Sequence, residues 1–216
     1  MKVIKKIFNA ILYGLAWILS LVFNNFVLCP FKIVAGYIGV INFRRRLRCS
    51  GKRIKIGSGN TFEGLKNITI GDGFVSDKGL WLATYSEYAG EKFAPHISIG
   101  NNVHFSRYCH IGAVGNIVIS DNVLLGSNVL INDHAHGTSV MSNVPRTEMP
   151  LVSKGGIVIG KNVWIGDNAC ILSGVTIGDN CIVGANSVVT KSFEESGLII
   201  AGSPAKIIKK MENPKG

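Results

Sequence analysis

The feature of this chain that most constrains its fold is a six-residue period in its C-terminal half. An aliphatic side chain opens each of six successive hexapeptides, at Ile159, Ile165, Ile171, Ile177, Val183 and Val189. The fifth position of the unit is small or slender, the second is usually Gly, and the fourth is often Asn. Because an α-helix repeats every 3.6 residues and a half-buried strand every two, neither explains a phase that is kept over six units.

The same phase recurs earlier in the chain, in blocks that start at Ile56, Ile99 and Ile119, and a two-residue slip separates Ile111 from Ile119. In a triangular parallel β-helix each hexapeptide forms one short flat face, and three faces complete a coil. Gly and Asn supply the positive φ of the turns, and stacked coils pair about 4.8 Å apart. We therefore predict an all-β fold, a parallel β-helix of roughly five to seven coils that starts near residue 54.

Charge and hydropathy set the N-terminus apart from the rest of the chain. Residues 1–62 hold eleven basic residues and no acidic one, and the run 7–28 is mostly apolar. Apolar residues make up 47% of the chain and charged residues 17%, which excludes a disordered protein. The basic charge is interleaved with apolar sequence, which favours an anionic membrane surface over nucleic acid. We predict that residues 1–50 form a hydrophobic, basic, membrane-associated helical segment.

Several arrangements of this segment are open. A single transmembrane helix, a hairpin bent at Pro30 that enters and leaves one leaflet, and a helix packed on the body all fit its length. The charge on both sides favours the hairpin, and the lack of a small-residue cleavage site disfavours a signal peptide. Five cysteines in no metal-ligand spacing indicate reduced thiols in the cytosol. We expect a cytoplasmic protein at the inner face of the cytoplasmic membrane.

The body is predicted to span residues 51–202, with a protruding loop at 137–156 and a C-terminal capping helix and tail at 203–216. The period is lost after the sequence Asn132-Asp133-His134-Ala135-His136-Gly137. A long excursion from a repetitive scaffold is usually functional. The stretch from Pro204 to Met211 has an amphipathic pattern that suggests a helix over the open end of the β-helix.

The hexapeptides, the sequence Asn162-Val163-Trp164-Ile165-Gly166 and the sequence Ala201-Gly202-Ser203-Pro204-Ala205-Lys206 resemble the hexapeptide-repeat acyltransferases. The similarity is greatest to the galactoside and maltose O-acetyltransferases and to the bacterial polysaccharide O-acetyltransferases, over about residues 54–212. The resemblance implies a homotrimer of left-handed β-helices, which is an exception to the usual right-handed crossover. It also implies acetyl-CoA as acyl donor, no metal, and a catalytic His where the long loop begins, between two subunits.

Two histidines compete for the catalytic role. An ungapped alignment of the sequence Asn122-Val123-Leu124-Leu125 with the family pattern places His136 on the catalytic His, which we favour. His134 stays open, and Asp133 is able to orient either imidazole. A neutral imidazole with a pKa near 6.5 removes a hydroxyl proton at neutral pH. The thioester is already activated, and the sequence contains no G-x-S-x-G elbow.

The resemblance and the aromatic residues also indicate binding positions. Ser106, with Tyr108 beside it, matches the acceptor position, and Trp81 and Tyr85 offer ring faces to a sugar or pack in a trimer. The donor positions implied by the resemblance are Asp167, Ala185, Thr190 and Lys191 along the coils, with Lys206 and Lys209 near the CoA phosphates. His104 and His110 are six residues apart and suggest a zinc site, but equivalent positions on successive faces point outward about 120° apart.

We therefore predict an acetyl-CoA-dependent O-acetyltransferase that uses a His as general base. Its acceptor is a sugar hydroxyl of a surface polysaccharide or of a lipid-linked glycan precursor, which suits the membrane-associated segment. A soluble sugar, amino-sugar or xenobiotic acetyltransferase is the alternative within the enzymes. A β-helical scaffold subunit is the alternative outside them, and a nucleic-acid partner is not expected.

Overall fold

A computed structural model describes residues 2–22, 25–137 and 144–212. The chain divides into two compact units, Met1–Asn42 and Phe43–Gly216. The first unit consists of helix α1, Lys2–Val22, and most of helix α2, Asn25–Arg46. Within α1, Ile4–Leu21 has a mean hydropathy of 1.4 and is not buried, so its length and composition suffice to cross a membrane.

The bend predicted at Pro30 is wrong, because Pro30 lies inside α2 and the helix continues to Arg46. The missing N–H of Pro30 costs the helix one hydrogen bond, which the rest of the ladder tolerates. Helix α1 ends at Val22 and α2 begins at Asn25, and residues 23–24 lie outside the described residues.

The second unit is a parallel β-helix whose six coils contribute one strand each to three sheets. Sheet 1 contains β1 (Cys49–Ser50), β4 (Ile68–Ile70), β9 (His96–Ile99), β12 (Asn116–Ile119), β17 (Ile157–Ile159) and β20 (Thr176–Ile177). Sheet 2 contains β2 (Lys55–Ile56), β5 (Val75–Ser76), β10 (His104–Phe105), β13 (Leu124–Leu125), β18 (Trp164–Ile165) and β21 (Ile182–Val183), followed by β23 (Leu198–Gly202) and β24 (Ala205–Lys210). Sheet 3 contains β3 (Thr61–Glu63), β6 (Trp81–Thr84), β11 (His110–Ala113), β14 (Leu130–Asn132), β19 (Cys170–Ile171) and β22 (Val188–Val189).

The strand register follows the predicted hexapeptide phase. Ile159 pairs with Ile177, Ile165 with Val183, and Ile171 with Val189, so the last two coils are 18 residues apart. The aliphatic first positions of the repeat from 99 onward point into the prism and are almost fully buried. Asn at the fourth position adopts positive φ, as at Asn162 and Asn180. The β-helix inferred from the period is confirmed.

Both ends of the prism are closed. At the first coil, Phe43 near the end of α2 and Leu47 just after it are buried, and the centroid of the Phe43 ring lies 4.5 Å from that of the Phe62 ring. At the last coil, β24 pairs antiparallel with β23. The predicted C-terminal helix at 203–216 is therefore wrong for the described part of that segment. The turn at residues 202–204 reverses the chain, and β24 satisfies the backbone edge that β23 would otherwise leave open.

The remaining strands are two small hairpins outside the three sheets, β7 (Glu87–Tyr88) with β8 (Glu91–Lys92), and β15 (Ala135–His136) with β16 (Leu151–Val152). Short 3-10 helices occur at Leu65–Asn67 and Arg146–Glu148. Of the predicted loop at 137–156, residues 138–143 lie outside the described residues, as do residues 213–216 of the predicted tail.

Candidate active site

A carboxylate–imidazole pair stands at the corner between sheets 3 and 1, directly after β14. The Nδ1 atom of His134 lies 3.0 Å from Oδ1 of Asp133. Asp133 is fully buried, and only 9% of the His134 side chain is exposed. The Asp133 carboxylate also accepts the backbone N–H groups of Val114, at 2.9 Å, and Gly115, at 2.8 Å. With Nδ1–H donated to the carboxylate, the Nε2 atom of His134 is free to accept a proton.

The sequence builds this pair through the two-residue slip of the third coil. The chain needs eight residues instead of six to pass from Ile111 to Ile119, and the extra residues form the turn whose amides bind Asp133. Gly112 gives the pair room, because a Cβ there would lie 2.5 Å from Oδ1 of Asn132 and 3.4 Å from Cε1 of His134.

A cavity of about 300 Å³ opens beside the pair, and its walls are largely aromatic. The rings of Trp81 and His110 are stacked with centroids 4.7 Å apart, and Tyr85 meets His134 edge-on at 5.5 Å. The lining residues are Trp81, Tyr85, Tyr88, His110, Asn132, His134, His136 and Leu151. This space combines flat apolar faces with a few polar atoms, which is typical of a small-ligand site.

His136 also lines the cavity but has different surroundings. It lies on β15, which pairs with β16 so that His136 stands opposite Leu151. Its exposed ring meets Tyr88 edge-on, with centroids 5.4 Å apart. The structure thus brings His134, His136, Trp81 and Tyr85 together, and it gives the buried carboxylate to His134.

Two further residues of the cavity escaped the sequence analysis. The sequence indicates His110 only as a metal ligand, yet its ring forms part of the cavity wall. Burial lowers the pKa of His110, and the nearby His134 lowers it further, so the ring is neutral at pH 7. Tyr88 comes from the hairpin of β7 and β8, which carries no trace of the period. Burial and, secondarily, Glu63 raise the pKa of Tyr85, which keeps its hydroxyl protonated.

The predicted acceptor residues Ser106 and Tyr108 lie elsewhere, at the corner between sheets 2 and 3. Tyr108 has φ of 58° and is 52% exposed, and its ring lies under Lys78 Nζ. The equivalent turns of the next three coils place Asn128, Asn168 and Asn186 at this positive φ. Positive φ is unfavourable for a bulky side chain, so an exposed Tyr there suggests a role outside folding.

The predicted donor residues divide between two corners. Asp167 and Ala185 occupy stacked turns at the corner between sheets 2 and 3, where the N–H of Asn186 donates to the Asp167 carbonyl. The Asp167 carboxylate itself accepts the N–H of Ser127 at 2.8 Å. Thr190 follows β22 at the corner between sheets 3 and 1, on the same edge as His134 but two coils further along.

The basic donor positions lie at the last coil. Lys191 follows Thr190, and its Nζ stands over the Phe193 ring. Lys206 and Lys209 are exposed on β24, opposite Ala201 and Ile199. Neither occurs in an ion pair among the described residues, whereas the neighbouring Lys210 pairs with Glu195. The described residues contain no group of His, Cys, Asp and Glu arranged to hold a metal ion.

Comparisons with known proteins agree with this architecture. The family model described as bacterial transferase hexapeptide (six repeats) matches residues 156–191. WbbJ of Escherichia coli K12, a provisionally assigned lipopolysaccharide biosynthesis O-acetyl transferase, is 37% identical over 150 residues, which are 67% of this chain and 72% of WbbJ.

Solved structures agree as well. A galactoside acetyltransferase in complex with coenzyme A superposes with a TM-score of 0.54 at 26% identity, over 79% of this chain and 68% of that one. The N-acyltransferase AntD from Bacillus cereus, solved with dTDP-4-amino-4,6-dideoxyglucose and coenzyme A, shares the fold with a TM-score of 0.65 at 23% identity, over 79% of this chain and 87% of AntD. The chain belongs to the hexapeptide-repeat family of acetyltransferases.

Proposed function

We propose that this protein transfers an acetyl group from acetyl-CoA to a sugar hydroxyl of a surface polysaccharide or of its lipid-linked precursor. The observation that carries the proposal is the buried Asp133–His134 pair at the edge of an aromatic cavity. General-base catalysis requires an imidazole in one fixed tautomer within reach of the attacking hydroxyl.

The reaction needs one proton acceptor and no enzyme nucleophile. His134 Nε2 takes the hydroxyl proton while the hydroxyl oxygen bonds to the carbonyl carbon of the thioester. When the tetrahedral intermediate collapses, the carbon–sulfur bond breaks and the thiolate of CoA receives the proton from the imidazolium. Asp133 stabilises the cation in between, at no cost in reorganisation because two backbone amides already hold it.

The assignment to His134 revises the preference for His136 that the ungapped alignment gives. His134 has the orienting carboxylate, and its imidazole is nearly buried. His136 lies at the exposed rim against Tyr88, where it is able to contact a substrate. Both residues line one cavity, so substituting each of them separately distinguishes the general base from the other His.

The cavity supports a neutral hydroxyl acceptor over an amine. Aromatic faces such as that of Trp81 suit the C–H surface of a pyranose. No carboxylate is among the described residues that line the cavity, and the nearby Asp133 is already engaged by His134 and two amides. A protonated amino sugar would therefore find no carboxylate in the lining to bind directly.

A homotrimer with the site between copies would unite the two sets of predicted residues. The His pair and Thr190 lie at one corner of the prism, whereas Ser106, Asp167 and Ala185 lie at another. Sheet 2 presents an outward apolar pair, Leu124 beside Trp164, which are 40% and 50% exposed. We propose that this face packs against a second copy, so that one corner of each subunit faces the other corner of its neighbour.

The donor would then lie in the groove between copies. Its thioester end is expected near His134, and its phosphates near Lys191, Lys206 and Lys209, which are exposed cations at the last coil. Acetyl-CoA is a substrate here, so no resident cofactor is required.

The membrane-associated part of the proposal depends on α1, which is long and apolar enough to span. A cytoplasmic location at the inner membrane face supplies acetyl-CoA and gives access to a lipid-linked glycan. The name of the relative WbbJ, with its reference to lipopolysaccharide biosynthesis, supports this acceptor class over a soluble sugar or xenobiotic.

The test measures release of CoA thiol with full-length protein, acetyl-CoA and a panel of sugar acceptors, for His134→Ala and His136→Ala separately. We expect His134→Ala to lose about 10²- to 10⁴-fold in turnover and His136→Ala to lose much less. Retained turnover in His134→Ala with loss in His136→Ala would make His136 the base. A thermal shift with acetyl-CoA checks donor binding in each variant, and no shift in folded wild type would contradict the enzyme itself.

A further inference from the structure

The first coil carries a surface that the proposed chemistry does not use. We define the basic collar as the five arginines and two lysines of residues 44–55, from the end of α2 to the start of β2. All seven side chains are exposed. None of the ion pairs among the described residues involves the collar. This is a concentrated positive charge at one end of the β-helix.

Acidic groups near the collar offset only part of its charge. The first acid in the chain is Glu63, at the end of β3. Asp72, on the second coil, accepts the backbone N–H of Lys52 at 2.6 Å, so one carboxylate lies against the collar. Asp77, on the same coil, lies 3.9 Å from His104 of the third coil. The seven cations of the collar exceed these acids, so the first coil carries a net positive charge.

Arg53 provides an independent observation, because its backbone is poorly suited to an arginine. Its φ is 52°, in the left-handed region that favours Gly and Asn. The five equivalent turns of the other coils use Gly73, Asn102, Asn122, Asn162 and Asn180 at this position. Folding alone would favour Asn or Gly at 53 as well, so the cation there indicates a use for its charge.

We infer that the basic collar binds the anionic headgroups of a phospholipid bilayer and turns the first coil of the β-helix toward the membrane. Clusters of four to eight Lys and Arg beside an apolar segment are typical of such binding, and the collar directly follows the apolar helices in the sequence. The inference adds to α1 a second, electrostatic contact that orients the catalytic unit. Its meaning for catalysis rests on the proposed membrane-bound acceptor.

This orientation fixes the height of the site above the bilayer. In sheet 3 the order from the first coil is β3, β6, β11, β14, so His134 follows the fourth strand. Three strand spacings amount to about 14 Å. The cavity walls from Trp81 on β6 to Asn132 on β14 lie within that distance. The enzyme would therefore acetylate sugars close to the lipid end of the acceptor.

The experiment measures partitioning of the full-length protein onto phosphatidylcholine vesicles with and without 30% phosphatidylglycerol. The collar variant combines Arg46→Gln, Lys52→Gln and Arg53→Asn. The control with the same charge change combines Lys92→Gln, Lys154→Gln and Lys161→Gln, which are exposed outside the collar. We expect the preference for anionic vesicles to fall about 100-fold in the collar variant, at roughly fivefold per cation, and to stay near wild type in the control.

Equal losses in the two variants, or a wild type without preference for anionic vesicles, would overturn the inference. Tighter binding of a short DNA duplex than of anionic vesicles at equal salt would also overturn it, in favour of nucleic acid. The single variant Arg53→Asn adds a second criterion, because it should raise the melting temperature while it weakens vesicle binding. CoA thiol release is followed in parallel, so that failure of the enzymatic proposal and failure of lipid binding are separate results.

Discussion

The last two coils and the middle coils of the β-helix are built from the same repeat but differ in how regularly they follow it. From β17 to β22 each strand is 18 residues from its partner, with no insertion. In the second to fourth coils the chain departs from the period three times, in the hairpin of β7 and β8, in the slip before β12, and in the excursion after His134. All three departures leave the prism between sheet 3 and sheet 1.

The difference teaches where a repetitive fold stores function. A coil without insertions satisfies its backbone and core through its neighbours and offers a ligand only its outward side chains and turns. Stacked departures at a single corner give side chains and amides that the regular coils cannot supply. Here they furnish Tyr88 and His134, which line one cavity, and the amides of Val114 and Gly115, which bind the carboxylate that orients His134.

The largest expected loss of turnover comes from replacing Asp133, which connects the turn at Val114 and Gly115 to His134. Asp133→Asn replaces a carboxylate that joins the slip to His134, so the imidazole loses its fixed tautomer and the stabilisation of its cation. We expect turnover to fall about 10²- to 10⁴-fold while the thermal shift by acetyl-CoA persists. Steady-state CoA release measures the first quantity. Equal turnover in Asp133→Asn and wild type would remove Asp133 from the mechanism.

A core substitution in the regular coils should lower the stability of the protein and leave turnover nearly unchanged. Ile171→Ala empties a fully buried position of the fifth coil, and its free energy of unfolding should fall by about 2–5 kcal/mol. Turnover of the folded fraction should stay near wild type, because Ile171 faces the core of the prism and is not among the residues that line the cavity. Chemical denaturation and activity assays on the same sample separate the two effects. A large loss of turnover in fully folded protein would contradict the view that the regular coils support the fold without acting in catalysis.

The sequence predicts the regular coils better than the cavity, because only the regular coils follow the six-residue period. In them, aliphatic positions such as Ile165 and Ile177 recur every six residues. The C-terminal strand β24 was mistaken for a helix because Ile207 and Ile208 fit a helical pattern, and only the open edge of β23 explains why they form a strand. Tyr88 and His110 could not be assigned to the cavity, because the departures that bring them together follow no period. The slip at Ile111 to Ile119 was the available signal.

A smaller effect is expected from crowding the corner. Gly112→Ala places a Cβ 2.5 Å from Oδ1 of Asn132 and 3.4 Å from Cε1 of His134. The Asn132 side chain must move to relieve the first contact, whereas the second is an ordinary van der Waals contact. Because Asn132 donates a hydrogen bond to the His134 carbonyl, we expect about a tenfold loss of turnover, which corresponds to about 1.4 kcal/mol. Ala135→Gly, at an exposed position of the neighbouring hairpin, serves as a mild control. Unchanged kinetics in Gly112→Ala would mean that the pair tolerates displacement.

The wall of the cavity should affect acceptor binding alone. Trp81→Ala removes a ring that is 43% exposed and stacked on His110. If that ring binds a sugar face, the KM for the acceptor rises about fivefold, as expected for one aromatic contact, and the KM for acetyl-CoA stays constant. Trp81→Phe should restore most of the affinity. Equal changes in both KM values would indicate that Trp81 packs between subunits instead.

The smallest effect concerns the pH dependence of stability at His110. Burial and the neighbouring His134 lower the pKa of His110 in the folded protein. As pH falls through the ordinary His pKa of about 6.5, the unfolded chain takes up this proton first. Stability is therefore lost from that pH down to the folded pKa, below which both states are protonated. The imidazole is half exposed to solvent, so the change is small.

His110→Gln isolates this contribution, since it cannot titrate but retains a polar side chain beside Trp81. The difference in melting temperature between pH 7.5 and pH 5 should be smaller in His110→Gln than in wild type, by about 1 °C. Ile171→Ala lies in the regular coils and should show the wild-type difference, although it melts lower at both values. A difference in His110→Gln as large as in wild type would assign the acid sensitivity to other groups. The departures at the corner would then contribute to catalysis without making the fold sensitive to pH.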